Sequence, residues 1–140
     1  MNIIFVCTGN TCRSPMAEAA AKYFIKGHRF SSAGLMAYEN MPMSRNAELA
    51  LEERGIPYKN HFSRSLRPED INKADLILTM SSRHKAILSE TAGDKVFTLK
   101  EYTTGTYGDI ADPFGGDLED YVNCLDEIIK CIYALKERLT

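Results

Sequence analysis

Residues 3–15 read IIFVCTGNTCRSP, and the change of texture inside this stretch decides the fold. Ile3-Ile4-Phe5-Val6 is continuously apolar and mostly β-branched, as in a strand buried on both faces. A polar loop containing Gly9 follows at once. Ser14 then suits a helix N-cap, and Pro15 suits the first helical turn. Met16, Ala19, Ala20, Tyr23 and Phe24 recur at i, i+3, i+4, i+7 and i+8, so an amphipathic helix is expected, stopped at Gly27.

The alternation continues along the chain. Residues 29–33 read as a short second strand ending at Gly34. Ser44 caps an expected helix through Arg54, with Gly55-Ile56-Pro57 as its stop. Asp75–Met80 is a third strand, Ser82–Glu90 a helix, and Lys95–Leu99 a fourth strand. A long loop is expected from about residue 100 to 116. The last helix spans about 118–139, with Leu118, Tyr121, Val122, Leu125, Ile128, Ile129, Ile132 and Leu135 on its buried side. Strands alternating with helices imply an α/β fold: one domain over residues 1–140, with a mostly parallel sheet and helices on both faces. Ligands of such sheets bind beyond the carboxyl ends of the strands, which directs attention to the loop after the first strand.

Composition narrows the function. The 140 residues carry 17 Lys+Arg against 19 Asp+Glu, a net charge of −2, which argues against broad binding of nucleic acid or a membrane surface. No apolar run is long enough to span a bilayer. The N-terminal residues lack a basic region and a cleavage site, so a cytoplasmic location is expected. Cysteines stand at 7, 12, 124 and 131. In a reducing compartment they default to free thiols. There is no CxxC, and His28, His61 and His84 are scattered, so no metal site is expected.

The loop Cys7-Thr8-Gly9-Asn10-Thr11-Cys12-Arg13-Ser14 lies between a buried strand and a helix N-terminus. Its amides can turn inward as an anion nest, aided by the helix dipole. Gly9 is expected to supply the conformational freedom of the curve. Arg13 adds a planar fork that matches phosphate oxygens in pairs. Cys7 would lie at the bottom, where the field that binds phosphate also favours a thiolate nucleophile. The nucleotide pattern GxxxxGK[ST] is absent, since no Lys stands here. An isolated Cys in such a turn would read as structural; the coincidence with Arg13, Ser14 and the strand–helix context favours chemistry.

C-x5-R-[ST] near the N-terminus, here CTGNTCRS at 7–14, resembles the signature of the low-molecular-weight protein phosphatases. Asp112-Pro113-Phe114-Gly115-Gly116 is similar to that family's second signature, and Ser32-Ala33-Gly34 to a weaker third. The resemblance covers essentially the whole chain. It implies a four-stranded parallel sheet in a three-layer α/β/α arrangement, a phosphocysteine intermediate and no cofactor. It makes Asp112 the general acid and then the general base, with Asp109 and Asp117 as competing acids off the motif. It makes Asn10 a brace of the loop, with Ser32 as its partner. Arg13 would stabilise transition-state charge, and Ser14 would donate its hydroxyl to the Cys7 sulfur. Residues 8–14 together would bind phosphate.

Thr11 and the DPFGG segment resemble the bacterial protein-arginine phosphatases within the family. Tyrosine-directed members carry an aliphatic residue at the position of Thr11. Phosphoarginine in proteins is therefore the expected substrate and phosphotyrosine the runner-up, with Thr11 and Phe114 as specificity residues. Phe114 could stack on either group. Cys12 is a candidate redox partner for Cys7. Two rival readings are a thiol-coupled arsenate reductase and a phosphosite-binding module without turnover. The first would need Cys124 and Cys131, which stand about 10.5 Å apart on one helix and suit packing better. The second needs neither Cys7 nor Asp112. Phosphorylated proteins are the expected partners of a monomer.

Overall fold

The computed structural model describes residues 1–140. Its strands are β1 (Asn2–Cys7), β2 (Arg29–Gly34), β3 (Leu76–Thr79) and β4 (Val96–Thr98). Its helices are α1 (Arg13–Phe24), α2 (Arg45–Glu53), α3 (Pro68–Lys73), α4 (Ser82–Ala92), α5 (Leu99–Thr104) and α6 (Leu118–Leu139). All strand pairs are parallel, in the order β2-β1-β3-β4.

The apolar run of β1 is continuous because both of its faces are covered. Ile3, Phe5 and Cys7 face the larger core with Leu76 and Leu78, beneath α1, α2, α5 and α6. Ile4 and Val6 face a smaller core with Ile77 and Val96, packed by Ile71 of α3 and Leu88 of α4. This is a single-domain three-layer α/β/α sandwich. β1 sits between β2, which follows it in sequence, and β3, which returns on its other side. Its carboxyl end is therefore the switch point at which such sheets open a crevice.

The structure departs from the sequence expectations at several elements. The loop assigned from about 100 begins as α5, because Thr98 caps it and Glu101 reaches back to the Thr98 amide, while Leu99 is fully buried. Helix α3 was not expected; Pro68 starts it and Asp70 completes its capping box. Helix α4 runs on to Ala92. Tyr23, placed on the buried face of α1, is 45% exposed, because alanines 17, 20 and 21 carry the packing there. Helix α6 has the expected bounds, and Cys124 and Cys131 lie on its buried side.

Gly34 ties sheet to loop. It pairs with Cys7 across β1 and β2, and an added Cβ would lie 2.5 Å from the Thr8 carbonyl oxygen and 2.9 Å from the Ala37 Cβ. Backbone approaches this closely only where no side chain intervenes. Gly34→Ala is expected to destabilise by about 1–3 kcal/mol through overpacking against that carbonyl, read as a lower urea midpoint at unchanged slope.

Candidate active site

Residues 7–14 carry the chain from the end of β1 into α1. The N-cap position of α1 is Cys12, and no side chain caps it. Ser14, expected as the cap, instead lies inside the first turn, where its hydroxyl faces the Cys7 sulfur at 2.8 Å. The backbone N–H groups of Thr8, Gly9, Thr11 and Cys12 have no acceptor within the protein. A helix start left uncapped, with free amides before it, is a site for an anion.

The curve does not rest on Gly9. The residue in the left-handed region is Asn10, with φ 56°. Asparagine tolerates this conformation better than most side chains. Here the side chain also secures it. Asn10 Nδ2 donates to Ser14 Oγ at 2.9 Å and to Ser32 Oγ at 3.0 Å, while Oδ1 accepts the Arg64 N–H at 3.1 Å. The Asn10 amide donates to Cys7 Sγ at 3.3 Å. Since Ser14 Oγ already accepts from Asn10, its own proton is free for Cys7. The sulfur thus receives two donors in a buried setting.

Arg13 is 6% exposed. Its Nη1 donates to the Ile110 carbonyl at 2.8 Å, and its Nη2 lies 3.6 Å from Asp112 Oδ2. Ile110 is itself pinned by its N–H to the Met80 carbonyl at 2.9 Å. The segment bearing Asp112 is therefore anchored at the end of β3 and swings over the loop. Asp112 is half exposed, and its Oδ1 accepts the Phe114 N–H at 3.1 Å, closing a tight turn around Pro113. The competing acids are occupied elsewhere. Asp109 accepts the Ser82 N–H at the start of α4, and Asp117 caps α6.

A cleft of about 390 Å³ opens above Cys7. Residues 7–13 form its floor, and Met36, Tyr38, Met41, Asp112 and Phe114 form its walls. Phe114 is 78% exposed. Thr11 is half-buried, and its carbonyl accepts the Ser44 N–H at 3.0 Å. The Cys12 sulfur lies 3.5 Å from Ser44 Oγ and 3.5 Å from the Tyr121 hydroxyl. Burial, with Cys12 alongside, pushes that hydroxyl up to about 12. Burial likewise pushes the Cys124 thiol up to about 12, and the Cys131 thiol upward. No group of three or more His, Cys, Asp or Glu side chains is arranged to hold a metal.

Two histidines without a sequence signal meet the loop. His61 donates its Nε2–H to the Asn10 carbonyl at 2.7 Å. His84 Nε2 lies 2.8 Å from Thr8 Oγ1. Burial holds the His84 ring down to about 4, helped by repulsion from Arg13 and Arg83, so it is neutral at physiological pH. Glu18 was also missed; it accepts from Ser32 Oγ at 2.5 Å and so supports Asn10 from behind.

A thiol beneath free amides, flanked by Arg and faced by Asp, is an arrangement for phosphoryl transfer to sulfur. The chain is similar to known phosphatases. It is 45% identical to the protein-arginine-phosphatase of Bacillus subtilis strain 168, over 99% of this chain and 97% of the relative. It is 42% identical to the low molecular weight protein-tyrosine-phosphatase PtpB of Staphylococcus aureus, over 98% of each. Among solved structures, the YwlE arginine phosphatase, as a cysteine-to-serine mutant with a phosphorylated active-site serine, superposes with a TM-score of 0.95 at 44% identity, covering 99% of this chain and 95% of that one. The low molecular weight phosphotyrosine protein phosphatase family matches residues 2–140, loop and acid segment included, and the chain belongs to it.

Proposed function

We propose that this protein hydrolyses phosphoarginine in proteins through a Cys7 phosphoenzyme. The observation that carries the reading is the buried Cys7 sulfur, held by Asn10 N–H and Ser14 O–H beneath amides that no protein group accepts. Phosphate oxygens would take the free amides of residues 8–14 and the Arg13 guanidinium, which first exchanges its Asp112 contact for the ligand. The Cys7 thiolate then attacks phosphorus as the phosphorus–nitrogen bond breaks. Asp112, in protonated form beside the phosphate dianion, gives its proton to the leaving guanidine nitrogen. As a carboxylate it next takes a proton from water, which attacks the phosphocysteine. The phosphorus–sulfur bond breaks, and the Ser14 hydroxyl receives the returning sulfur charge.

The substrate preference rests on Thr11 at the cleft floor and on the names of the relatives. A hydroxyl there can accept from a guanidinium N–H, whereas a phenyl ring is better served by an aliphatic contact. Phe114 would cover either group. Phosphotyrosine stays the second reading, favoured by the tyrosine-phosphatase name of the Staphylococcus aureus relative. Arsenate reduction fits less well. Cys124 and Cys131 are buried and their thiols are pushed upward, the opposite of what a resolving thiol needs. A phosphosite-binding module leaves Asp112 at the mouth of the cleft without a task.

The same reading makes Cys12 the partner of Cys7 under peroxide: a Cys7 sulfenic acid condenses with the Cys12 thiol and releases water. We place the protein as a monomer in the cytoplasm, acting on phosphorylated proteins and not on nucleic acid. No helix is long and apolar enough to cross a membrane, and the net charge of −2 leaves no overall basic excess to draw in nucleic acid.

Cys7→Ser is expected to abolish phosphate release from phosphoarginine protein while circular dichroism and thermal midpoint stay close to those of the parent; full activity in that variant would remove the nucleophile. Asp112→Asn should lower kcat by about 10²–10⁴-fold, most for poor leaving groups, measured across substituted aryl phosphates. Thr11→Ile should lower the ratio of kcat/KM for phosphoarginine over phosphotyrosine peptides by roughly tenfold or more, the scale of one polar contact in a specificity pocket.

A further inference from the structure

His84 is a buried titratable group for which the proposed reaction has no task. It stands in the first turn of α4, at the carboxyl end of β3, and is 6% exposed. Nδ1 lies 2.8 Å from Ser81 Oγ, and Nε2 lies 2.8 Å from Thr8 Oγ1. The ring thus bridges the gap between β3 and β1, joining α4 to the phosphate loop next to Cys7. Charged groups around it are Arg13 of α1, Arg83 of α4, and Asp109 and Asp112 of the acid segment.

A neutral imidazole has one donor and one acceptor. The Ser81 hydroxyl decides which is which. As the N-cap of α4, its oxygen already accepts the His84 backbone N–H at 3.3 Å. Its single proton has Nδ1 as its partner. Nε2 therefore carries the ring proton and gives it to Thr8 Oγ1. The proton of the Thr8 hydroxyl is then left over, on a side chain that lines the cleft. In the opposite tautomer Thr8 spends that proton on Nε2 and has none to offer a ligand.

We propose that His84 is a positioning residue of the phosphatase: its Nε2–H fixes the Thr8 hydroxyl at the edge of the phosphate loop, with the Thr8 proton free to donate to a phosphoryl oxygen. The proposal rests on the phosphatase reading above, and it adds a side-chain donor to the ring of amides. A donor held in place before the substrate arrives needs no reorganisation as charge develops on phosphate. The histidine touches no substrate atom; it acts only through Thr8. Glutamine can place an amide N–H where Nε2 stands, whereas asparagine reaches only the Nδ1 position and keeps the Ser81 contact.

The test is a double-mutant cycle on p-nitrophenyl phosphate, whose hydrolysis does not depend on which phosphorylated side chain is preferred. Thr8→Val and His84→Asn should each lower kcat by about tenfold, the scale of one fixed donor to developing charge. The double variant should fall no further than the lower single, within about twofold, because both remove the same interaction. His84→Gln should recover to within about threefold of the parent, since it restores the donor to Thr8. Thermal midpoints are measured in parallel, because a residue that merely packs would lower them and would give losses that multiply with Thr8→Val. A His84→Asn enzyme with parental kcat, a double variant showing the product of the two losses, or His84→Gln no better than His84→Asn would each overturn the proposal. Absence of p-nitrophenyl phosphate hydrolysis by the parent protein would instead overturn the phosphatase reading itself.

Discussion

The site depends on one buried amide. Every hydrogen-bonding atom of the Asn10 side chain is committed: two protons to Ser14 and Ser32, and its oxygen to the Arg64 amide. These bonds hold a left-handed backbone position that an L-residue adopts at a cost of order 1–2 kcal/mol. In exchange, the Asn10 N–H turns towards the Cys7 sulfur, and Ser14 is left with its proton pointing the same way. The hydrogen bonding of the Cys7 sulfur thus follows from a constraint on its third neighbour along the chain. Glu18 and His61 extend the constraint outward, one through Ser32 and one through the Asn10 carbonyl.

The second constraint is that Arg13 serves two masters. Its guanidinium is bound to the Ile110 carbonyl and lies near Asp112, so the acid segment is held over the loop by the same side chain that would grip phosphate. The Ile110 contact uses one edge of the fork and can persist when a ligand takes the other. The 3.6 Å approach of Asp112 is the exchangeable part, because the carboxylate is half exposed and its other oxygen has the Phe114 amide. Binding of an anion would thereby release Asp112 from Arg13 without dislodging the segment that carries it.

Much of this is written locally in the chain. β1, the loop and α1 are legible because a buried strand, a polar turn and a helix start each have their own residue chemistry and follow without interruption. The other strands and the long α6 are read from the same periodicities. What was misread is equally local: the Thr98-to-Glu101 and Arg67-to-Asp70 caps announce α5 and α3 but are short, and six-residue helices leave little periodicity. Gly9 looked like the flexible point because glycine usually is, whereas a fully bonded asparagine does that work. His61 and His84 had no signal at all. They meet the loop across 51 and 76 residues of chain, His84 through the strand order and His61 beside the bridge between Pro42 and Phe62. Asp112 was legible through family resemblance; its neighbours Asp109 and Asp117 could be set aside only once each was seen to end on a helix amide.

The close contact of Gly34 with the Thr8 carbonyl has a consequence for how the molecule comes apart. β2 is an edge strand, ordinarily the first part of a sheet to fray, yet it and the residue after it touch the loop at Cys7 at three places: the Gly34 contact, the Ser32 hydroxyl and the Leu35 amide on the Cys7 carbonyl. Cys7 therefore has no separate melting unit of its own. The Leu35 and Met36 amide protons, bonded to the Cys7 and Thr8 carbonyls, exchange with solvent only in openings large enough to peel away the sheet margin, and loss of the site on heating and global denaturation become one cooperative event.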